Sequence, residues 1–159
     1  LINNSSLNYE LFYESHYPCR GNNNSPNTLA CYLMSSNNNA EIMTDGTKLV
    51  QILSNLINNA IKFTPEGRID IGYKLQDGFL EFSVKDTGIG IPPEYQTRVF
   101  ERFYQVDNTV SRQYQGTGLG LSICKAYAEL LGGKIWLESI PGNGTTFSFT
   151  IPYLKSQEV

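Results

Sequence analysis

Two asparagines and a lysine carry the first chemistry in this sequence. Asn55 and Asn59 stand four residues apart, with Lys62 three further on, a spacing that sets all three on one side of a helix. Amide oxygens suit a hard cation, and an ammonium attracts phosphate. Alone, such a stripe is equally what a solvated helix face looks like. Three glycine-rich turns change the balance. Asp86-Thr87-Gly88-Ile89-Gly90-Ile91-Pro92 follows a stretch carrying Phe82 and Val84. A carboxylate at a strand end can accept a hydrogen bond from an exocyclic amine such as adenine's, and glycines let a flat ligand approach. Gly116-Thr117-Gly118-Leu119-Gly120-Leu121-Ser122 leads into a helical pattern, where exposed amides and the helix dipole favour an anion. It is neither the dinucleotide fingerprint nor the P-loop. Gly142-Asn143-Gly144-Thr145-Thr146-Phe147 reads by itself only as a hairpin turn.

Several elements must hold these residues. Leu49, Leu53, Leu56, Ala60 and Phe63 recur at helical spacing. Asp45 or Thr47 is placed to cap the start, and Pro65 and Gly67 stop the run, so a helix is expected over 45–63. Residues 68–75 and 79–85 read as strands joined by a tight Asp77-Gly78 turn. After the loop at 86–93, the pattern predicts a short helix over 94–100 and a polar, mobile stretch over 107–116. A helix follows over 119–131, closed by Gly132-Gly133. Strands over 134–138 and 145–152 flank the turn at 141–144. Trp136 and Phe147 are expected in or near the core, and Phe100 and Phe103, three apart, beneath the mobile stretch.

Residues 1–39 are the least legible. Asn, Ser and Gly crowd 21–26 and 35–39, which read as loops around a strand at 28–34; a helix at 7–14 would end before Pro18. The expected division is an N-terminal segment over 1–39, one folded unit over 40–153 and a polar tail over 154–159. There is no internal repeat. Strands adjacent in sequence, interleaved with helices, point to an α+β class: two layers, helices on one face of a mixed sheet.

At 159 residues the chain suits one core. A net charge of −3 is not the basic footprint of a nucleic-acid binder, so no nucleic-acid partner is expected. No apolar run reaches the roughly 20 residues of a membrane span, so no direct membrane contact is expected either. The first 20 residues are too polar for a signal peptide, and the start at Leu1 reads as a fragment of a longer protein. Cys19, Cys31 and Cys124 are odd in number and form no CxxC, which suits free thiols in the cytoplasm. His16, Cys19 and Cys31 would be one ligand short of a closed zinc site.

Together and in this order, the motifs are far more specific than any one of them. They resemble the ATP-binding catalytic domain of bacterial two-component sensor histidine kinases, within the superfamily that includes DNA gyrase, HSP90 and MutL. The N box is 55–64, the G1 box 86–92, the F box 100–104, the G2 box 116–122 and the third glycine motif 142–147. The resemblance covers 45–152, about two thirds of the chain. Stretches 100–107 and 131–139 are similar to sensor kinases of Bacteroides-type bacteria, which implies a hybrid sensor.

The resemblance implies a Bergerat-type sandwich and a role for each matching position. Asn59 would bind Mg²⁺ bridging the phosphates of ATP, supported by Asn55. Lys62 would contact phosphate, and Phe63 would line the nucleotide pocket. Asp86 would bond the adenine amine, with Gly88, Gly90 and Ile91 shaping that side. Gly116, Thr117, Gly118, Leu119 and Gly120 would wrap the phosphates, and Thr146 would lie near the adenine floor. Residues 107–115 would form a lid ordered by nucleotide. The implied reaction passes the γ-phosphoryl group to a histidine on a dimerisation or histidine-phosphotransfer domain, and later to the receiver domain of a response regulator. It places the domain in the cytoplasm and its parent sensor at the inner membrane.

Three positions bear on that reading. Superfamily ATPases typically carry a Glu one turn before the metal-binding Asn; here it is Asn55, an amide that cannot act as general base near neutral pH. This disfavours the rival reading, an ATPase or nucleotide-gated switch. Gln105 stands where many members have Arg or Lys after the F-box aromatics, which keeps a degenerate binding module as a further alternative. The single histidine, His16, precedes Tyr17-Pro18 rather than an acidic residue on a long helix, so the acceptor is expected on another domain.

Overall fold

The computed structural model describes residues 29–35, 44–106 and 117–153. The expected helix at 7–14, His16, Cys19, Gly116, the lid stretch 107–115 and the tail after 153 lie outside the described residues, and Cys31 is described by its backbone alone. The elements are β1 (Leu29–Ser35), α1 (Gly46–Phe63), β2 (Gly67–Gln76), β3 (Phe79–Asp86), the single turn α2 (Pro93–Gln96), α3 (Gly120–Leu130), β4 (Ile135–Ile140) and β5 (Gly144–Pro152).

Helix α1 forms where the apolar residues recur at three and four. It buries Leu49, Ile52, Leu53, Leu56, Ile57 and Ala60, and each fully buried aliphatic contributes about 1.5–3 kcal/mol. Asp45 caps it by accepting from the Lys48 amide at 3.1 Å. It ends at Thr64, which adopts φ −127° and ψ 78°, outside the helical region that the following Pro65 disfavours. Helix α3 stops in a Schellman arrangement: the Gly133 amide donates to Ala128 O at 2.9 Å and the Gly132 amide to Glu129 O at 3.0 Å.

The sheet runs β1-β2-β3-β5-β4. β1 is parallel to β2 and the remaining pairs are antiparallel, so the expected mixed sheet is present. Asp77 and Gly78 turn between β2 and β3 with φ of 52° and 79°, as a two-residue hairpin requires. Register aligns Ile71, Val84, Phe147 and Leu137 across four strands, and Tyr73, Phe82, Phe149 and Ile135 one pair along. These residues make one face apolar, and α1 and α3 lie on it. Phe82 stacks on Phe149 at 4.9 Å. Cys124 of α3 is wholly buried against α1, its Sγ 3.7 Å from Ile52 O, and burial pushes its thiol up to about 12.

Two expectations differ in detail. The helix expected over 94–100 is one α turn followed by i→i+3 turns, Arg98 N to Tyr95 O and Glu101 N to Arg98 O. Trp136 is half-buried on the outer sheet face, with Lys134 Nζ 5.6 Å from its ring centre, whereas Phe147 is in the core.

Candidate functional site

The amide stripe of α1 is anchored at both ends. Asn55 Nδ2 donates to Gly120 O at 3.5 Å, which ties the helix to the start of α3. At the other end Phe63 O accepts from the Ile89 amide at 3.2 Å, which ties it to the loop after β3. Asn59 and Lys62 sit between, both half-buried. Lys62 Nζ lies 4.9 Å from the Phe63 ring centre. Burial holds its pKa below the ordinary lysine range, so its charge is less fully hydrated and interacts more strongly with an anion.

The glycines of the loop after β3 serve backbone closure. A side chain at Gly88 would run into Phe63 O and Thr64 Oγ1. Gly90, at φ +68°, has the Ile140 carbonyl where a Cβ would stand. Ile91 is held from two sides: its amide donates to Ser139 Oγ at 2.8 Å, and its carbonyl accepts from Gln96 Nε2 at 2.8 Å.

Asp86 ends β3 on the helix-facing side of the sheet and is 5% exposed. Gly88 and Thr145 both donate backbone N–H groups to the same oxygen, Oδ1, at 2.8 and 3.2 Å. Burial raises the carboxyl's pKa, while those two bonds and the nearby Thr64 hydroxyl pull it down. Thr64 Oγ1 is buried and, among the described residues, is the one such side-chain atom with no partner at full hydrogen-bond geometry, although its hydroxyl lies close enough to Asp86 to stabilise the carboxylate. Buried polar groups are ordinarily satisfied. A buried carboxylate beside a hydroxyl that can donate to it is an acceptor group, which fits a ligand offering donors.

The start of α3 faces the other end of the stripe. Gly118, at φ +69°, has Phe103 main-chain atoms 2.8–2.9 Å from where its Cβ would be, and Phe103 N donates to Gly118 O at 3.0 Å. The F box is thus clamped to the helix entry, with Phe103 74% exposed and Phe100 packed edge-on against Phe147. No side chain caps the α3 start at Leu119, which leaves first-turn amides for an anion. Thr117 is exposed at this entry.

The strand parity corrects one assignment. Thr146 pairs with Lys85 and Glu138 on the outer face of the sheet. Thr145, buried at 6% exposure, is the residue joined to Asp86. The signal was present, since Phe147 is a core residue and a strand returns to the same face every second residue. Ser139, Gln96 and Thr64 also escaped the sequence reading, because their partners lie far along the chain or are main-chain atoms.

The residues present fit a hard cation held mainly by its ligand. Asn59, half-buried on α1, offers an amide oxygen of the kind such a cation accepts, and among the described residues no three of His, Cys, Asp and Glu gather as a metal site. No helix among the described residues is long and apolar enough to cross a membrane.

Comparison with known proteins agrees with this geometry. The family model described as "Histidine kinase-, DNA gyrase B-, and HSP90-like ATPase" matches residues 44–155. The sensor histidine kinase WalK of Bacillus subtilis (strain 168) is 47% identical over 117 residues, 72% of this chain and 19% of that protein. Sensor histidine kinase RcsC of Escherichia coli (strain K12) is 42% identical over 113 residues, 71% of this chain and 12% of that protein. This chain therefore spans less than a fifth of either curated relative. Among solved structures, the nucleotide-free catalytic domain of histidine kinase ThkA has a TM-score of 0.67 at 37% identity, covering 79% of both chains. Full-length ShkA in complex with AMPPNP has a TM-score of 0.72 at 33% identity, covering 80% of this chain and 26% of that one. By the family model over most of its length and by these identities, this chain belongs to the histidine kinase-, DNA gyrase B- and HSP90-like ATPase family, as a catalytic domain of the sensor-histidine-kinase kind.

Proposed function

We propose that this chain binds ATP with Mg²⁺ and transfers the γ-phosphoryl group to a histidine on a separate dimerisation domain. The observation that carries the reading is the Asn55–Gly120 tie, which sets the uncapped start of α3 beside the amide stripe of α1. Phosphates lying there meet main-chain N–H groups from one side and Lys62 from the other. Asp86 Oδ2 accepts from the adenine amine at the far end. Asn59 supplies an amide oxygen to Mg²⁺. When bound, the ion supplies neutralisation of phosphate charge. The acceptor imidazole nitrogen attacks the γ-phosphorus; the P–N bond forms as the bond to the ADP oxygen breaks, and ADP leaves. This chain's residues contribute positioning and charge stabilisation, the main means of phosphoryl transfer. Asn55 cannot take a proton from water, which argues against hydrolysis as the purpose.

The phosphoryl group then passes to an aspartate of a receiver domain. The catalytic unit is residues 40–153, working in the cytoplasm as part of a longer sensor at the inner membrane. The direct test is thermal unfolding with AMPPNP, with and without Mg²⁺. The melting temperature should rise with nucleotide concentration, by the equivalent of about 2.7 kcal/mol at a hundredfold excess over Kd. No shift at millimolar nucleotide would end the reading. Labelled phosphate appearing on the histidine of an added dimerisation domain would complete the case, whereas release of free phosphate by this domain alone would favour an ATPase.

A further inference from the structure

The Ser139 hydroxyl sits at a junction that the family reading does not use. Its Oγ accepts from the Ile91 amide at 2.8 Å, lies 3.0 Å from Gly144 O, and is 2.9 Å from Thr145 Oγ1. A hydroxyl has one hydrogen and two lone pairs. The Gly144 carbonyl can only accept, so the Ser139 hydrogen goes to it. The Ile91 amide can only donate, so it takes one lone pair. What remains on Ser139 is a single lone pair, and the contact with Thr145 is satisfied only if Thr145 gives up its own hydrogen. The Thr145 hydroxyl is thereby committed: toward anything else it can only accept.

The same residue's amide is bonded to Asp86 at 3.2 Å, so Thr145 and the carboxylate are neighbours on the helix-facing side of the sheet. Both groups present lone pairs. A base with an amine at the purine 6-position offers two N–H donors to such a wall. A base with a carbonyl there offers lone pairs to lone pairs, and a site built for a donor rejects an analogue that lacks it. Gln96 Nε2 braces the arrangement from behind by donating to Ile91 O at 2.8 Å and Ser139 O at 3.0 Å.

We propose that Ser139 is a positioning residue that fixes the Thr145 hydroxyl as a hydrogen-bond acceptor and so contributes to the preference for a 6-amino over a 6-oxo purine nucleotide. The proposal rests on the nucleotide reading above. With Ser139→Ala, Thr145 is free to turn its hydrogen toward a 6-oxo group. The measurement is the ratio of Kd for ITP to Kd for ATP, both with Mg²⁺, by calorimetry on the full chain. The ratio should fall about fivefold or more in Ser139→Ala, the worth of one hydrogen bond, and recover in Ser139→Thr. In a Thr145→Val background, Ser139→Ala should leave the ratio where it was. If both affinities drop together and the ratio holds, Ser139 is a structural brace only and the proposal is overturned. Should Ser139→Ala not fold, Thr145→Val alone decides, since an unchanged ratio there also overturns it. A native chain that binds neither nucleotide would sink the nucleotide reading itself; a native chain that prefers ATP, with a ratio insensitive to Ser139, sinks only this inference.

Discussion

Asp86 shows how one residue serves two ends. Its carboxyl is buried, and burial raises its pKa above the unfolded value. A raised pKa means that the folded state holds the proton more readily. The carboxyl's favourable contribution is therefore complete at acid pH, below the unfolded pKa, and is lost as pH rises through the folded pKa. Asp86→Asn keeps an oxygen for the Gly88 and Thr145 amides and removes the charge. Without nucleotide, the variant should match the native chain at low pH and gain on it as pH rises; melts across pH 3 to 8 check this. The same change should weaken ATP binding by about tenfold or more, since a charge-assisted bond is lost. Asn59→Ala separates metal from base: affinity for ATP should lose its Mg²⁺ dependence while the melting temperature without ligand stays put. Nucleotide titrations with Mg²⁺ and with EDTA measure it, and equal Mg²⁺ enhancement in variant and native chain would refute the metal assignment.

At the level of elements, closure of the loop after β3 depends on main chain meeting main chain. Gly90 and Gly142 both have positive φ, but only Gly90 has backbone atoms where a Cβ would stand; around Gly142 there is open space. Gly142→Ala should cost about 1 kcal/mol, from conformation alone. Gly90→Ala adds the collision with Ile140 and should cost about 3 kcal/mol or more. Denaturant melts of the pair isolate the difference, and equal costs would mean that the loop has room to shift. Much of this frame was readable beforehand. The α1 stripe, the Asp77-Gly78 turn and the Gly132-Gly133 stop are local signals, each written in a few neighbouring residues. The parallel pairing of β1 with β2 was not readable, because nothing in either strand names its partner. The Ser139 junction was hidden for the same reason: all four of its contacts reach residues outside its own strand. That Thr145 rather than Thr146 shares a face with Asp86 follows from the alternation of a strand, which a glycine motif taken as a string does not carry.

The molecule as a whole inserts its last described element between two earlier ones. β5 follows every other described strand yet lies between β3 and β4. It supplies Phe147, Phe149 and Ile151 to the core, and Thr145 to Asp86 across 59 residues of chain. Pairings of such long range are slow to form, since loop closure must precede any gain from contact. A chain ending at residue 143 should melt without cooperativity and bind no AMPPNP, as judged by calorimetry; binding at native affinity would show that the cleft stands without β5. A nascent chain that has emerged as far as the β4–β5 turn already contains most of its glycine motifs and still has one of the two amides that orient Asp86 missing. Competence for nucleotide is then expected only once β5 has inserted between β3 and β4, so ATP should favour chains that have completed that insertion over those still short of it.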